Sequence, residues 1–281
     1  MARALDSWWD ELGRPDPYTV VEAGAGGGTL ARSVRAAPAR CASALRYVEV
    51  ERSDRLRPAG GLGALPPERF VGIVLANELL DNLSFLLLHR SGGGWLEVRV
   101  GDPGGKPFEV LVPAAAGLAA EAEALAPDAP DGSRVPLQRQ AAGWLAEVLG
   151  LVAEGRVVVF DYADVTPSMA RRPWTGWVRT YRRHGRGGPP LERPGSQDIT
   201  CEVATDQLAR VCPPTAELSQ AEFLAAHGID ELVDQARAEW HARAHLGDLA
   251  AVRARSRVGE ASALCDPTGL GAFRVLQWRT A

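Results

Sequence analysis

From Tyr18 the chain reads Tyr-Thr-Val-Val-Glu22, an apolar and β-branched run that ends on an acid, and AGAGGG follows at once. That order predicts a buried strand, a glycine turn and a helix over 30–37, which Pro38 stops. LRYVEV over 45–50 predicts a second strand ending at Glu51. Pro58, Gly60, Gly61, Gly63, Pro66 and Pro67 then break the chain, so little helix is expected before residue 70. FVGIVLA over 70–76 is apolar almost throughout, as a parallel strand covered on both faces is, and it ends at Asn77-Glu78. LSFLLLHR, SGGG and WLEVRV read as two strands around a turn. Residues 113–134, rich in Ala, Pro and Asp, read as a loop. Apolar positions at helical spacing predict a helix over 135–154 that Gly155 caps. VVVF over 157–160 is another buried strand, ending at Asp161. Residues 164–197, rich in Arg, Pro and Gly, read as an irregular insertion. Segments 199–211, 220–227 and 229–246 read as helices, and FRVLQW over 273–278 as a late strand.

Strands alternating with helices imply an α/β protein built on a parallel sheet. Ligands of such sheets sit beyond the carboxyl ends of the strands. Here those ends carry Glu22, Glu51, Asn77-Glu78 and Asp161. The whole chain, 1–281, is expected to form one domain. Its core strands lie at about 18–112, 155–163 and 271–279, its insertion at about 164–198 and a helical segment at about 199–250.

Composition narrows the class. Of 281 residues, 46% are apolar and 23% charged, ordinary values for a globular protein. A net charge of −4 and a pI near 5.8 give no sign of a nucleic-acid partner. Lys106 is the only lysine, an arginine bias that fits a GC-rich genome better than a function. Cys41, Cys201, Cys212 and Cys265 are far apart, which fits a reduced, cytoplasmic setting. No run approaches the roughly 20 apolar residues of a membrane span. MARALDSWWDELGRP reads as a short amphipathic helix rather than a signal peptide.

The glycine turn carries the strongest chemistry. Counting a dinucleotide GxGxxG from Gly24 places Thr29 at the third glycine, so that match fails. The form E-x-G-x-G-x-G matches Glu22, Gly24, Gly26 and Gly28, and it is typical of S-adenosylmethionine (SAM) methyltransferases. Glycines let a ligand approach the backbone, and a carboxylate helps to hold the ammonium of the SAM amino-acid end. Glu51, ending the second strand, is placed to accept both ribose hydroxyls, against the bland reading of a solvated strand-end acid. Glu78 and Asp81 lie three apart and can share one face of a turn, suited to a forked cation such as a guanidinium. Helix capping is the bland reading there, with Asn77 as the N-cap. Asp161-Tyr162 is a candidate for the same cleft. Trp174 and Trp177 either wall an acceptor site or pack in the insertion. His241 and His245 lack the Glu of HExxH and read as surface residues, with no metal expected.

Taken together these pieces resemble the MidA-like SAM-dependent methyltransferases, which include the mitochondrial complex I assembly methyltransferase. The matching motifs are VVEAGAGGGTL, Glu51-Arg-Ser53, LANELLDNL, FDYA, GWVRTY with His184, PGSQDIT, SQAEFL and FRVLQW, in the family's order. The resemblance implies a Rossmann-like class I core with a family-specific insertion. It implies SAM as cofactor and a protein nitrogen as acceptor, which in the mitochondrial relative is an arginine of a respiratory-complex subunit. By motif match, Glu22, Gly24, Gly26 and Gly28 would line the methionine end of SAM and Glu51 its ribose. Asn77 and Glu78 would face methyl transfer, with Asp81 the second candidate catalytic acid. Family members usually carry a long segment before the glycine motif, where 21 residues stand here, and a longer stretch between Arg57 and Phe70. Ser84 and Ala163 replace a usual proline and glycine. A non-catalytic assembly factor on a methyltransferase scaffold is therefore the alternative, and an NAD-dependent oxidoreductase a third.

Overall fold

The computed structural model describes residues 1–183 and 185–281; His184 lies outside them. The chain divides into two compact units. Met1–Asn77, Leu149–Phe160 and Pro214–Ala281 form the first, Glu78–Val148 and Asp161–Pro213 the second. The opening segment carries α1 (Ala2–Glu11), β1 (Tyr18–Ala23), α2 (Thr29–Ala36), β2 (Leu45–Val50) and β3 (Phe70–Asn77). Next come β4 (Leu86–Ser91), β5 (Gly94–Gly101), β6 (Phe108–Pro113), α3 (Ala116–Leu125), β7 (Arg134–Leu137) and α4 (Arg139–Leu151). β8 (Val152–Asp161) returns to the first unit. The second unit resumes with β9 (Ala163–Asp164), α5 (Thr166–Ala170), β10 (Val178–Arg182), β11 (Gly185–Arg186), β12 (Asp198–Cys201), β13 (Val203–Ala204) and α6 (Thr205–Val211). The first closes with β14 (Ala216–Ser219), α7 (Gln220–Ala226), α8 (Ile229–Arg243), α9 (Leu249–Leu264) and β15 (Arg274–Thr280).

Among the described residues the first unit's sheet has six strands in the order β14-β15-β8-β3-β1-β2. β2, β1, β3 and β8 pair in parallel, and β14 pairs antiparallel with β15. This is the α/β architecture that the alternation predicts. β1 is buried at every position; Tyr18 and Val20 pack with Leu5 and Trp8 of α1 and Ile73 of β3, and Val21 is fully buried as well. Among the described residues no helix forms between Val50 and Phe70. Leu62 touches the sheet edge there through one parallel bridge to Val50.

The second unit is antiparallel. β6-β5-β4-β7 form one sheet and β11-β10-β12 another, and β13 pairs with β9. The β4–β5 hairpin turns on Gly92 and Gly93, both at positive φ (58° and 78°), which only glycine adopts at little cost.

Five expectations change. Residues 116–125 are helical rather than loop, since alanine is the best helix former and α3 buries Ala122 and Leu125. Val135 belongs to β7, and the helix begins only at Arg139. Gly155 caps nothing: it lies inside β8 at φ 143°. Residues 199–201 and 203–204 are strand, not helix, with Thr200, Cys201, Val203 and Ala204 buried, and α6 starts at Thr205. The 164–197 insertion also contains regular structure, α5 and β10–β11.

Candidate functional site

In the first unit the glycine turn leaves β1 with Gly24, Gly26 and Gly28 at φ 72°, 50° and 72°, the left-handed region that favours glycine. The backbone N–H groups of Gly24 and Ala25 donate to the carbonyl of Val50 at 2.9 and 3.0 Å, which ties the turn to the end of β2. Glu51 completes the tie. One carboxylate oxygen accepts the Gly26 N–H at 2.9 Å, and the other accepts the Ser53 N–H at 2.8 Å. A carboxylate oxygen has two lone pairs, so Glu51 retains acceptor capacity toward a pair of hydroxyls. A Cβ on Gly26 or Gly27 would find no neighbour within 4 Å, so that side of the turn is open. Gly28 is different: a Cβ there would lie 2.3 Å from Glu49 Oε1 and 3.0 Å from Pro58.

Glu22 is buried and accepts the Tyr47 hydroxyl at 2.8 Å. Burial pushes its carboxyl above the usual range, and the Tyr47 hydrogen bond opposes that shift. An ammonium group near Glu22 would be favoured, because it stabilises the charged form that burial disfavours. Asn77 stands exposed at the end of β3. The open side of the turn and the oriented Glu51 carboxylate fit the chemistry of SAM.

The second unit carries a cluster of acids. Glu78 is exposed and holds φ 50°, an uncommon conformation for a side chain of its size and one that concentrates at functional turns. After it the chain makes one turn of 3₁₀ helix over Leu80–Asn82. Asp81 is 1% exposed, and it accepts the Tyr162 hydroxyl and, at 2.7 Å, the Asn82 side-chain amide. Asp161, also 1% exposed, accepts the N–H groups of Leu80 and Asp81 at 3.1 and 3.2 Å on one oxygen and that of Tyr162 at 3.1 Å on the other. Asp161 thus holds the turn that presents Glu78 and Asp81. Burial, with the charge of Glu78 adding to it, pushes the Asp81 carboxyl up to about 6. Burial and the Asp81 charge push Asp161 well above the carboxylate range.

Cations stand behind Tyr162. Arg179 lies 5.5 Å over its ring and donates to Glu202 at 2.6 Å. Arg172 donates at 2.7 Å to both Glu202 and Asp164. The sequence reading did not single out Glu202 or Arg172, because their link to Tyr162 runs through a tertiary pairing. Asp198 sits at the start of β12, paired with Tyr181. Trp177 walls no cleft: it is fully buried beside Met169, Val178 and Cys201 and donates its indole N–H to Met169. Trp174 is half-buried, with Arg134 at 4.5 Å over its ring. His241 is exposed on α8 and His245 in the turn after it.

A family model described as "Putative S-adenosyl-L-methionine-dependent methyltransferase" matches residues 1–59 and 62–224. Two solved structures from Burkholderia thailandensis are similar over 99% of this chain. One is an uncharacterized protein, 25% identical with a TM-score of 0.82, of which the match covers 77%. The other belongs to the same superfamily, is described as a "likely methyl transferase" and was solved bound to S-adenosyl-homocysteine. It is 26% identical, with a TM-score of 0.80 and 74% of its length covered. No curated protein matches the chain. With most of its length matched and a Rossmann-like class I core in place, the chain belongs to this family of SAM-dependent methyltransferases, whose cofactor is S-adenosyl-L-methionine.

Proposed function

We propose that this protein transfers the methyl group of SAM to a protein nitrogen, with an arginine side chain as the acceptor class, as in the MidA-like proteins it resembles. The observation that supports this most is the acid cluster after β3, with Glu78 exposed and strained above two buried carboxylates. Carboxylates of that density suit a cationic, multiply hydrogen-bonding acceptor better than an alcohol or a carbon acid.

SAM when bound supplies an electrophilic methyl on a cationic sulfur. Gly24, Gly26 and Gly28 would line its methionine end, Glu22 would balance its ammonium, Glu51 would accept the ribose hydroxyls, and Asn77 would close the cofactor side. Glu78 would orient the acceptor nitrogen, which is much of what such a displacement needs. Asp81, with a carboxyl near 6, suits a base that receives the nitrogen's proton at neutral pH. Asp161 and Tyr162 would position Asp81.

The test is a radiolabel transfer from methyl-labelled SAM to extract of cells lacking this protein. Labelled protein that yields methylarginine on hydrolysis is expected, with loss of label in Glu78→Ala. Calorimetry should show SAM binding to the wild type and none to a folded Gly26→Arg. Label only in small molecules would overturn the protein acceptor. Binding without any transfer would favour the assembly-factor reading. A respiratory-complex subunit is the candidate acceptor that the resemblance implies.

A further inference from the structure

A cavity of about 500 Å³ opens in the first unit beside α1, a volume ordinary for a small-molecule site. Trp8 and Glu11 of α1, Arg156 of β8, His227 after α7, and Gln277 and Arg279 of β15 line it. Arg156 stands in register with Ile73 and Val20, four residues before Gly24, so it lies about 13 Å back along the sheet from the glycine turn. None of the residues placed toward SAM takes part in this lining.

The charges of the cavity do not balance. Arg156 and Gln277 are each 7% exposed. Arg156 and Arg279 donate to the same oxygen of Glu11, at 2.5 and 2.9 Å. Glu11 is the one carboxylate of the lining among the described residues, so one positive charge is left over. Burial holds the His227 ring below its usual pKa, so it adds no charge near neutral pH. Hydrogen bonding is one-sided too. Gln277 Oε1 accepts from Arg156 at 3.0 Å, which leaves the Gln277 NH2 as a donor. A guanidinium has five N–H groups, and the bonds to Glu11 and Gln277 use two of those on Arg156. Surplus donors and one surplus positive charge suit an anion with acceptor oxygens. A carboxylate fits best, being a monoanion that matches the guanidinium fork, whereas a phosphate monoester brings nearly two negative charges beside Glu11. The Trp8 and His227 rings, 5.9 Å apart, offer the rest of such a ligand an aromatic wall.

We propose that this cavity binds a small organic carboxylate, its charged end held by Arg156 and Arg279 and its apolar body against Trp8 and His227. The proposal is independent of the methyl-transfer reading. Calorimetry with sodium benzoate, benzamide and inorganic phosphate tests it. Benzoate should bind the wild type with a Kd of about 1 mM or tighter, an ordinary efficiency for so small a ligand. Benzamide, similar in shape but uncharged, and phosphate should each bind about ten-fold more weakly or worse. Arg279→Gln changes a side chain that is 62% exposed, so the fold should persist while benzoate binding weakens about ten-fold. Glu11→Gln removes the like charge and keeps an acceptor for both arginines, so it should tighten benzoate binding about ten-fold. Excess S-adenosyl-homocysteine should leave benzoate binding unchanged. No saturable benzoate binding to the wild type or to Glu11→Gln would overturn the proposal. So would binding that Arg279→Gln leaves intact, that S-adenosyl-homocysteine displaces, or that benzamide equals. Phosphate bound as tightly as benzoate would overturn the assignment to a carboxylate.

Discussion

Two glycines outside the turn constrain the first unit's sheet. Thr19, Gly72 and Gly155 stand in register on β1, β3 and β8. Gly72 has φ 151° and Gly155 φ 143°; a Cβ on the first would lie 1.8 Å from the Thr19 carbonyl, and on the second 1.8 Å from that of Gly72. Gly72→Ala and Gly155→Ala combine a nearly glycine-only conformation with a backbone clash, so each should cost about 3 kcal/mol or more, read by urea denaturation. Gly143→Ala, in an open helix position with no neighbour within 4 Å, should stabilise slightly and serves as the control. Glu51, the proposed ribose acceptor, bears on the proposed function instead. Glu51→Gln turns one acceptor oxygen into a donor facing either Gly26 or Ser53, so SAM affinity should fall about ten-fold or more by calorimetry. The strand-end acids and the turn glycines are legible in sequence, because each follows an apolar run. Gly155 is not: along one strand it looks like a helix stop, and only the neighbouring strand shows why a side chain is forbidden there.

Among the elements, the turn after β3 has the sharpest consequence. The folded Asp81 carboxyl titrates near 6, above its unfolded value of 3.8, so the native state keeps a proton that the unfolded chain has lost between those values. This group's contribution to stability is therefore full below about pH 4 and fades as pH rises through 6. Asp161, raised in the same direction, adds to the trend. Relative to Asp81→Asn, the wild type should lose about 2 kcal/mol of unfolding free energy between pH 4.5 and 7. Methyl transfer should run oppositely, rising through pH 6 as Asp81 ionises, and that limb should vanish in Asp81→Asn. The short strands that the sequence hid share one cause. β7, β12 and β13 are four residues or fewer, too short to display a period, and their burial comes from partners far along the chain. Gln138, for example, meets Cys201, Glu202 and Ala204 through hydrogen bonds that no local pattern announces.

In the molecule as a whole, the parallel sheet was legible because buried strands are long, apolar and followed by polar residues. The antiparallel unit was less so, since its strands are half-exposed and its pairings tertiary. The same limit hides a link across the first unit. Arg156, buried in β8, donates to Glu11 of α1 at 2.5 Å and to Gln277 of β15 at 3.0 Å, with its guanidinium 4.9 Å over Trp8. Arg279 meets the same Glu11 at 2.9 Å. One half-exposed carboxylate thus pins the N-terminal helix to two strands far along the chain. Burial holds the Arg156 guanidinium below its usual range, so it depends on Glu11 as counter-ion. Glu11→Ala leaves that charge buried without its partner and should cost about 1–3 kcal/mol, less than a fully buried pair because water screens Glu11. Arg156→Met removes the charge and keeps the packing on Trp8, so Glu11→Ala should cost at least about 1 kcal/mol less in that background. Denaturation of the two single variants and the double variant measures the coupling. Additive costs would mean that α1 is held by Leu5 and Trp8 in the core and not by charge.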